Sequence, residues 1–119
     1  MTKISLFLNA SNFESVPAGS LIFESGDAGH CMYGVKEGQV EILVGDTVLD
    51  IVGPGGIFGE MALIDREPRS ASARALTDCQ IVPVDEKQFN FMVQQTPFFG
   101  LQMMRIIVSK LRQATETAE

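Results

Sequence analysis

Two ionisable side chains stand nine positions apart in the stretch FGEMALIDREPRSA, residues 58–71: Glu60 and Arg69. An arginine presents a planar fork of N–H donors that matches phosphate oxygens, with a charge that is never lost. Small residues surround it. Gly59 lets an anion approach the backbone, and the amides of Ser70 and Ala71 are equally approachable. GEMALI reads as one or two helical turns whose free N-terminal amides attract negative charge. Pro68 holds Glu67 extended and is expected to start a strand at Arg69.

Glu60 is the unusual member of this set. A carboxylate beside a phosphate is costly unless it accepts a proton from a neutral donor, and a sugar hydroxyl is such a donor. Arginine alone suits any anion, whereas arginine with glutamate suits a ribose phosphate. The plainer reading is a salt bridge between Glu60 and Arg69 themselves, and the residue types leave both open.

The rest of the chain must position this pair. Its 119 residues suffice for one domain with a real core, and a hydrophobic content of 45% opposes disorder. A net charge of −6 argues against a nucleic-acid surface, since phosphate backbones need a basic face. Two cysteines, Cys31 and Cys79, are too few for a disulfide scaffold and fit a reducing, cytoplasmic setting. The apolar run at the N-terminus is too short for a secretory signal, and Gln102 and Arg105 interrupt the apolar stretch near the C-terminus, so no membrane span is expected. His30 is the only histidine and falls in a turn; a metal site is not expected. No serine sits in a nucleophile elbow, so no catalytic residue is assigned.

Residues 1–84 are punctuated by glycines between short β-branched or aromatic runs, the pattern of a sandwich or closed roll. In QVEILV, Val40, Ile42 and Val44 share the face expected to be half-buried, and Gly45-Asp46 marks a hairpin turn. After Val84 the periodicity becomes helical. Asp85 and Gln88 form a capping box, and Thr96-Pro97 ends one helix and starts the next. In that last helix Met104, Ile107, Val108 and Leu111 make an i, i+3, i+4, i+7 stripe, with Met103 and Ile106 beside it. One set can pack on the roll while the other is left for a second copy or an effector.

The 58–71 stretch resembles the phosphate-binding cassette of cyclic nucleotide-binding domains. VPAGSLIFESGDAGHCMYGVKEGQVEI before it and SASARALTDCQIVPVDEKQF after it extend the likeness over roughly residues 12–111. The resemblance implies a mainly β fold with C-terminal helices: a jelly-roll-like β-roll over 1–84 holding the cassette, then hinge and lid helices over 85–119. It implies that Glu60 binds the ribose 2′-hydroxyl and Arg69 the cyclic phosphate, with the amides of Gly59, Met61, Ala62 and Ala71 completing the cradle. Ser70, after the arginine, is similar to bacterial members that respond chiefly to cyclic AMP, with cyclic GMP a weaker second ligand. The expected function is a non-enzymatic sensor whose lid helix closes on the ligand and signals to a partner. The alternative is an interaction module of the same shape that has lost the nucleotide. Gly56 and Gly34 depart from the family pattern, where aspartate and a β-branched residue are common. No helix-turn-helix, kinase or channel segment lies within these residues, so the output is expected elsewhere, through a homodimer or an effector contacting the C-terminal helix.

Overall fold

The structure is a computed structural model describing residues 3–118. In chain order the elements are α1 (Ser5–Leu8), β1 (Glu14–Val16), β2 (Leu21–Phe23), β3 (Cys31–Glu37), β4 (Val40–Val44), β5 (Thr47–Val52), β6 (Ile57–Phe58), α2 (Glu60–Asp65), β7 (Ser72–Ala75), β8 (Cys79–Asp85), α3 (Glu86–Gln95) and α4 (Pro97–Ala118). Eight antiparallel strands form two four-stranded sheets, ordered β1-β8-β3-β6 and β2-β7-β4-β5, followed by the C-terminal helices. This is the mainly β roll the spacing of glycines and apolar runs called for.

The period of two along β3 explains how the roll carries both a core and the helices. Tyr33 and Val35 point into the roll, where Val40, Phe58, Ala73 and Ile81 meet them. Met32 lies on the opposite face, against Phe7, Phe99 and Met103 of the helical layer. Gly34 belongs to that second face, and here its departure from the family pattern has a cause. A Cβ on Gly34 would come within 2.3 Å of the Phe7 ring. The missing side chain is the socket for Phe7, whose ring also meets Phe99 edge-on at a centroid distance of 6.1 Å.

The face expected of β4 holds only in part. Val40 is buried and Ile42 packs inward, as expected, but Val44 is 49% exposed. Glu41 and Leu43, on the opposite face, are buried too, so the strand is covered on both sides. The irregularity in this hairpin lies on β5, where Leu49 is passed over between Asp50 and Val48. Gly45, at φ 59°, makes the tight turn to β5.

The helical signals hold. Gln88 N–H donates to Asp85 Oδ1 at 2.8 Å and Asp85 N–H to Gln88 Oε1 at 2.9 Å, closing the capping box; Thr96 ends α3 and Pro97 opens α4. Of the two apolar sets on α4, Met103 and Ile106 are the buried one. They continue the line from Phe99 at helical spacing, so the Phe7–Phe99 contact sets the rotation of the helix. Met104, Val108 and Leu111 face outward, and Ile107 is half-buried. No helix among the described residues is long and apolar enough to cross a membrane.

Candidate functional site

The site is built where β6 runs into α2. Gly59 caps α2 at φ 74°, a conformation that favours glycine, and a Cβ there would lie 2.8 Å from Arg69 Nη1. The turn carries Glu60 inward, to 7% exposure. Arg69 comes from the loop before β7 and not from a strand start as expected. Its N–H donates to the Asp27 carbonyl and its own carbonyl accepts from Gly26 N–H, both at 2.8 Å. These bonds to the loop after β2 take the backbone before the ladder with β4 begins at Ser72.

Glu60 and Arg69 form no ion pair with one another. Arg69 is 6% exposed, and its partners are neutral: Nη1 donates to the Gly59 carbonyl at 2.8 Å and Nη2 to the Cys31 carbonyl at 2.7 Å. The guanidinium carbon lies 4.0 Å from the Phe23 ring centre. Its Nε–H is buried without a hydrogen-bond partner among the described residues. A stranded buried donor beside an un-neutralised charge is rare in folded proteins and suits an anion. Glu60 has found another cation: Lys110 Nζ of α4 donates to Glu60 Oε1 and to the Ile57 carbonyl, each at 2.9 Å.

A cavity of about 650 Å³ opens between α2, the loop carrying Arg69, the β4–β5 hairpin and α4. All seven residues singled out from the sequence line it: Gly59, Glu60, Met61, Ala62, Arg69, Ser70 and Ala71. Its size is that of a small-molecule site. Leu49 and Asp50 border one side, and Lys110, Gln113 and Ala114 border the side formed by α4. Phe23, Tyr33 and Phe58 stack behind the arginine. Burial, then a hydrogen bond with the Cys31 side chain, pushes the Tyr33 phenol far above its ordinary range, so that wall stays uncharged. Such a cavity can hold one anionic group at the arginine and a hydroxyl donor near the glutamate.

Sequence reasoning missed three contributors. Lys110 sits four residues after Ile106 on the inward face of α4, a spacing that could have flagged it. Gly29 carries no more signal in the sequence than its neighbouring glycines, yet a Cβ there would stand 2.6 Å from Arg69 Nε and 2.7 Å from the Ala62 methyl. Phe23 falls within VPAGSLIFESGDAGHCMYGVKEGQVEI, with nothing in the spacing to single it out. Elsewhere, His30 is exposed, Cys31 is half-buried and Cys79 is buried, both as free thiols. Among the described residues no group of three or more His, Cys, Asp and Glu could hold a metal.

Comparison with known proteins agrees with this geometry. The family model for the cyclic nucleotide-binding domain matches residues 13–96. The chain belongs to the cyclic nucleotide-binding domain family. It is 31% identical over 117 residues to the cyclic AMP receptor protein of Thermus thermophilus, covering 94% of this chain and 54% of that protein. A crystal structure of the Thermus thermophilus catabolite activator protein superposes with a TM-score of 0.78 at 30% identity, over 96% of this chain and 56% of that one. A cyclic nucleotide-gated potassium channel of Mesorhizobium japonicum is 37% identical over 90 residues, 76% of this chain and 25% of the channel. An EAL enzyme solved in a cyclic GMP-bound form matches with a TM-score of 0.65 at 39% identity, over 90% of this chain and 30% of that one. The chain thus spans about half the length of the Thermus relative and a quarter of the channel.

Proposed function

We propose that this chain is a single cyclic nucleotide-sensing regulatory domain of the cytoplasm, with cyclic AMP as preferred ligand and cyclic GMP as a weaker one. Arg69 meets the cyclic phosphate, and Glu60 accepts from the ribose 2′-hydroxyl. The amides of Gly59, Met61, Ala62 and Ala71 complete the phosphate cradle, and Ser70 lies beside it toward the base. The roll over 1–84 holds the cassette, residues 58–71, and the segment 85–119 supplies hinge and lid. Ligand draws the cavity side of α4 onto the base, and its outward face, Met104, Val108 and Leu111, passes the change to a second copy or an effector protein. The domain's work is binding, with no catalytic step.

The observation that carries this reading is the buried Arg69 guanidinium, held by carbonyls and a ring, with no carboxylate to neutralise it and one N–H unused. The cyclic AMP receptor, cyclic nucleotide-gated channel and cyclic GMP-bound relatives support the choice of ligand class. One observation favours the alternative, an interaction module without nucleotide: Lys110 already occupies Glu60. Thermal unfolding with and without ligand separates them. Cyclic AMP at about 100 times its Kd stabilises a binding domain by roughly 2.7 kcal/mol, whereas a module without the site is not stabilised. Calorimetry with both nucleotides then ranks the bases.

A further inference from the structure

The arginine of this site is held in an unusual way. Arginines fixed in protein interiors are commonly oriented by a carboxylate, which fixes the fork and cancels its charge. Arg69 is oriented by neutral groups alone. Two carbonyls, of Gly59 and Cys31, take in-plane N–H donors, and the Phe23 ring covers a face of the guanidinium at 4.0 Å. In-plane bonds fix the rotation of the fork and the ring fixes its tilt.

Phe23 reaches this position through an irregularity in β2. Pairing with β7 runs Leu21 to Arg74 and then Phe23 to Ala73, so two steps on β2 oppose one on β7. In a regular strand Ile22 and Phe23 would face opposite sides of the sheet. Here both pack toward the inner core, because the bulge turns Phe23 back inward. The ring is then braced from behind. Tyr33 stacks on it at 6.1 Å and Phe58 lies at 6.0 Å, with Tyr33 and Phe58 5.1 Å apart. Gly59 and Gly29 leave the room: a Cβ on Gly59 would come 3.2 Å from the Phe23 ring and 2.8 Å from Arg69 Nη1.

From this geometry we infer that Phe23 is a positioning residue for ligand binding: its braced ring orients Arg69 in place of a carboxylate and so keeps the full positive charge available to the ligand's phosphate. A ring face attracts a cation without neutralising it, and the attraction grows when the pair is shielded from water, as here. The inference rests on the nucleotide-sensing reading proposed above, and deepens it by naming how the anion site is pre-formed.

The test compares Phe23→Leu and Phe23→Met, which remove the ring and keep apolar bulk, with Phe23→Tyr, which keeps the ring. Two readouts are taken on the full chain. In the ligand-free protein, the Arg69 Nε–H signal by nitrogen-15 NMR is expected to be displaced by the ring current in wild type and Phe23→Tyr, and to lose that displacement in Phe23→Leu and Phe23→Met. By calorimetry, cyclic AMP binding is expected to weaken about five- to thirty-fold in the ringless variants and to stay within about twofold of wild type in Phe23→Tyr. An Arg69 signal indifferent to loss of the ring, or ringless variants binding cyclic AMP as wild type does, overturns the inference. If wild type itself binds no cyclic AMP, the functional reading fails while the NMR comparison still decides whether Phe23 orients Arg69.

Discussion

Lys110 Nζ stands 2.9 Å from Glu60 Oε1, so the last helix is tied directly to the carboxylate assigned to the ligand's ribose. The pair links α4 to the mouth of α2 across fifty positions of sequence. Any ligand hydroxyl that uses Glu60 therefore arrives at a group already engaged by α4.

Replacing Lys110 with methionine leaves Glu60 buried without its cation. About a third of the Lys110 side chain is exposed, so the cost falls below that of a fully buried pair, at about 1–3 kcal/mol. Melting of the free domain should drop by several degrees. Saturating cyclic AMP should raise the melting temperature of Lys110→Met by more than that of wild type, because the ligand's hydroxyl supplies the partner Glu60 lacks. Equal ligand shifts would mean that the hydroxyl does not reach Glu60.

Gly29→Ala pushes a methyl to 2.6 Å from Arg69 Nε and 2.7 Å from the Ala62 side chain, so the arginine and α2 must both move. Overpacking of this kind costs about 1–3 kcal/mol, and cyclic AMP affinity should fall at least about tenfold. Gly53→Ala, whose added methyl meets nothing within 4 Å, is the control and should be nearly neutral in both respects. Unchanged affinity in Gly29→Ala would show that the arginine's position does not govern binding.

Gly34→Ala drives a methyl into the Phe7 ring and should destabilise by about 1–3 kcal/mol, with nucleotide affinity little altered in the folded fraction. Phe7→Leu alone loses ring packing against Phe99. Combined, the two should cost less than their sum, since the smaller side chain relieves the clash. Strict additivity in denaturant unfolding would place the contact elsewhere.

The outward face of α4 leaves Met104 58%, Val108 46% and Leu111 63% exposed, a patch that soluble chains tend to cover. Light scattering across concentrations, with and without cyclic AMP, should detect self-association that Met104→Glu with Leu111→Glu abolishes without loss of nucleotide binding. A monomer under every condition would leave this face for an effector protein.

Much of the fold could be read from local signals. Glycine-punctuated runs gave the β-roll, Asp85 with Gln88 gave the start of α3, and Pro97 gave the start of α4, because turns and caps depend on residues close in sequence. What escaped was set by contacts between distant segments. The bulge at Leu49 depends on how β5 pairs with β4, and the rotation of α4 depends on Phe7 meeting Phe99. The seven candidate residues of the cassette converge on one cavity because they are near neighbours in the chain. Lys110, Phe23 and Gly29 come from elsewhere in the chain; only the helical spacing from Ile106 points to Lys110, and Phe23 and Gly29 are recognisable only by what they touch. Between the two readings of Glu60 and Arg69, their mutual salt bridge is excluded by their separate partners, a choice that no spacing argument could make.

The most direct test is calorimetric titration of cyclic AMP into wild type and Arg69→Ala. Arg69 is buried and held by neutral groups alone, so its loss should cost about 2–5 kcal/mol, at least thirty-fold in Kd, while the roll stays folded. Wild type that binds, and an Arg69→Ala variant that melts cooperatively yet binds at least thirty-fold more weakly, is the predicted result. Equal affinity in the two proteins, or no heat of binding in wild type, would contradict it.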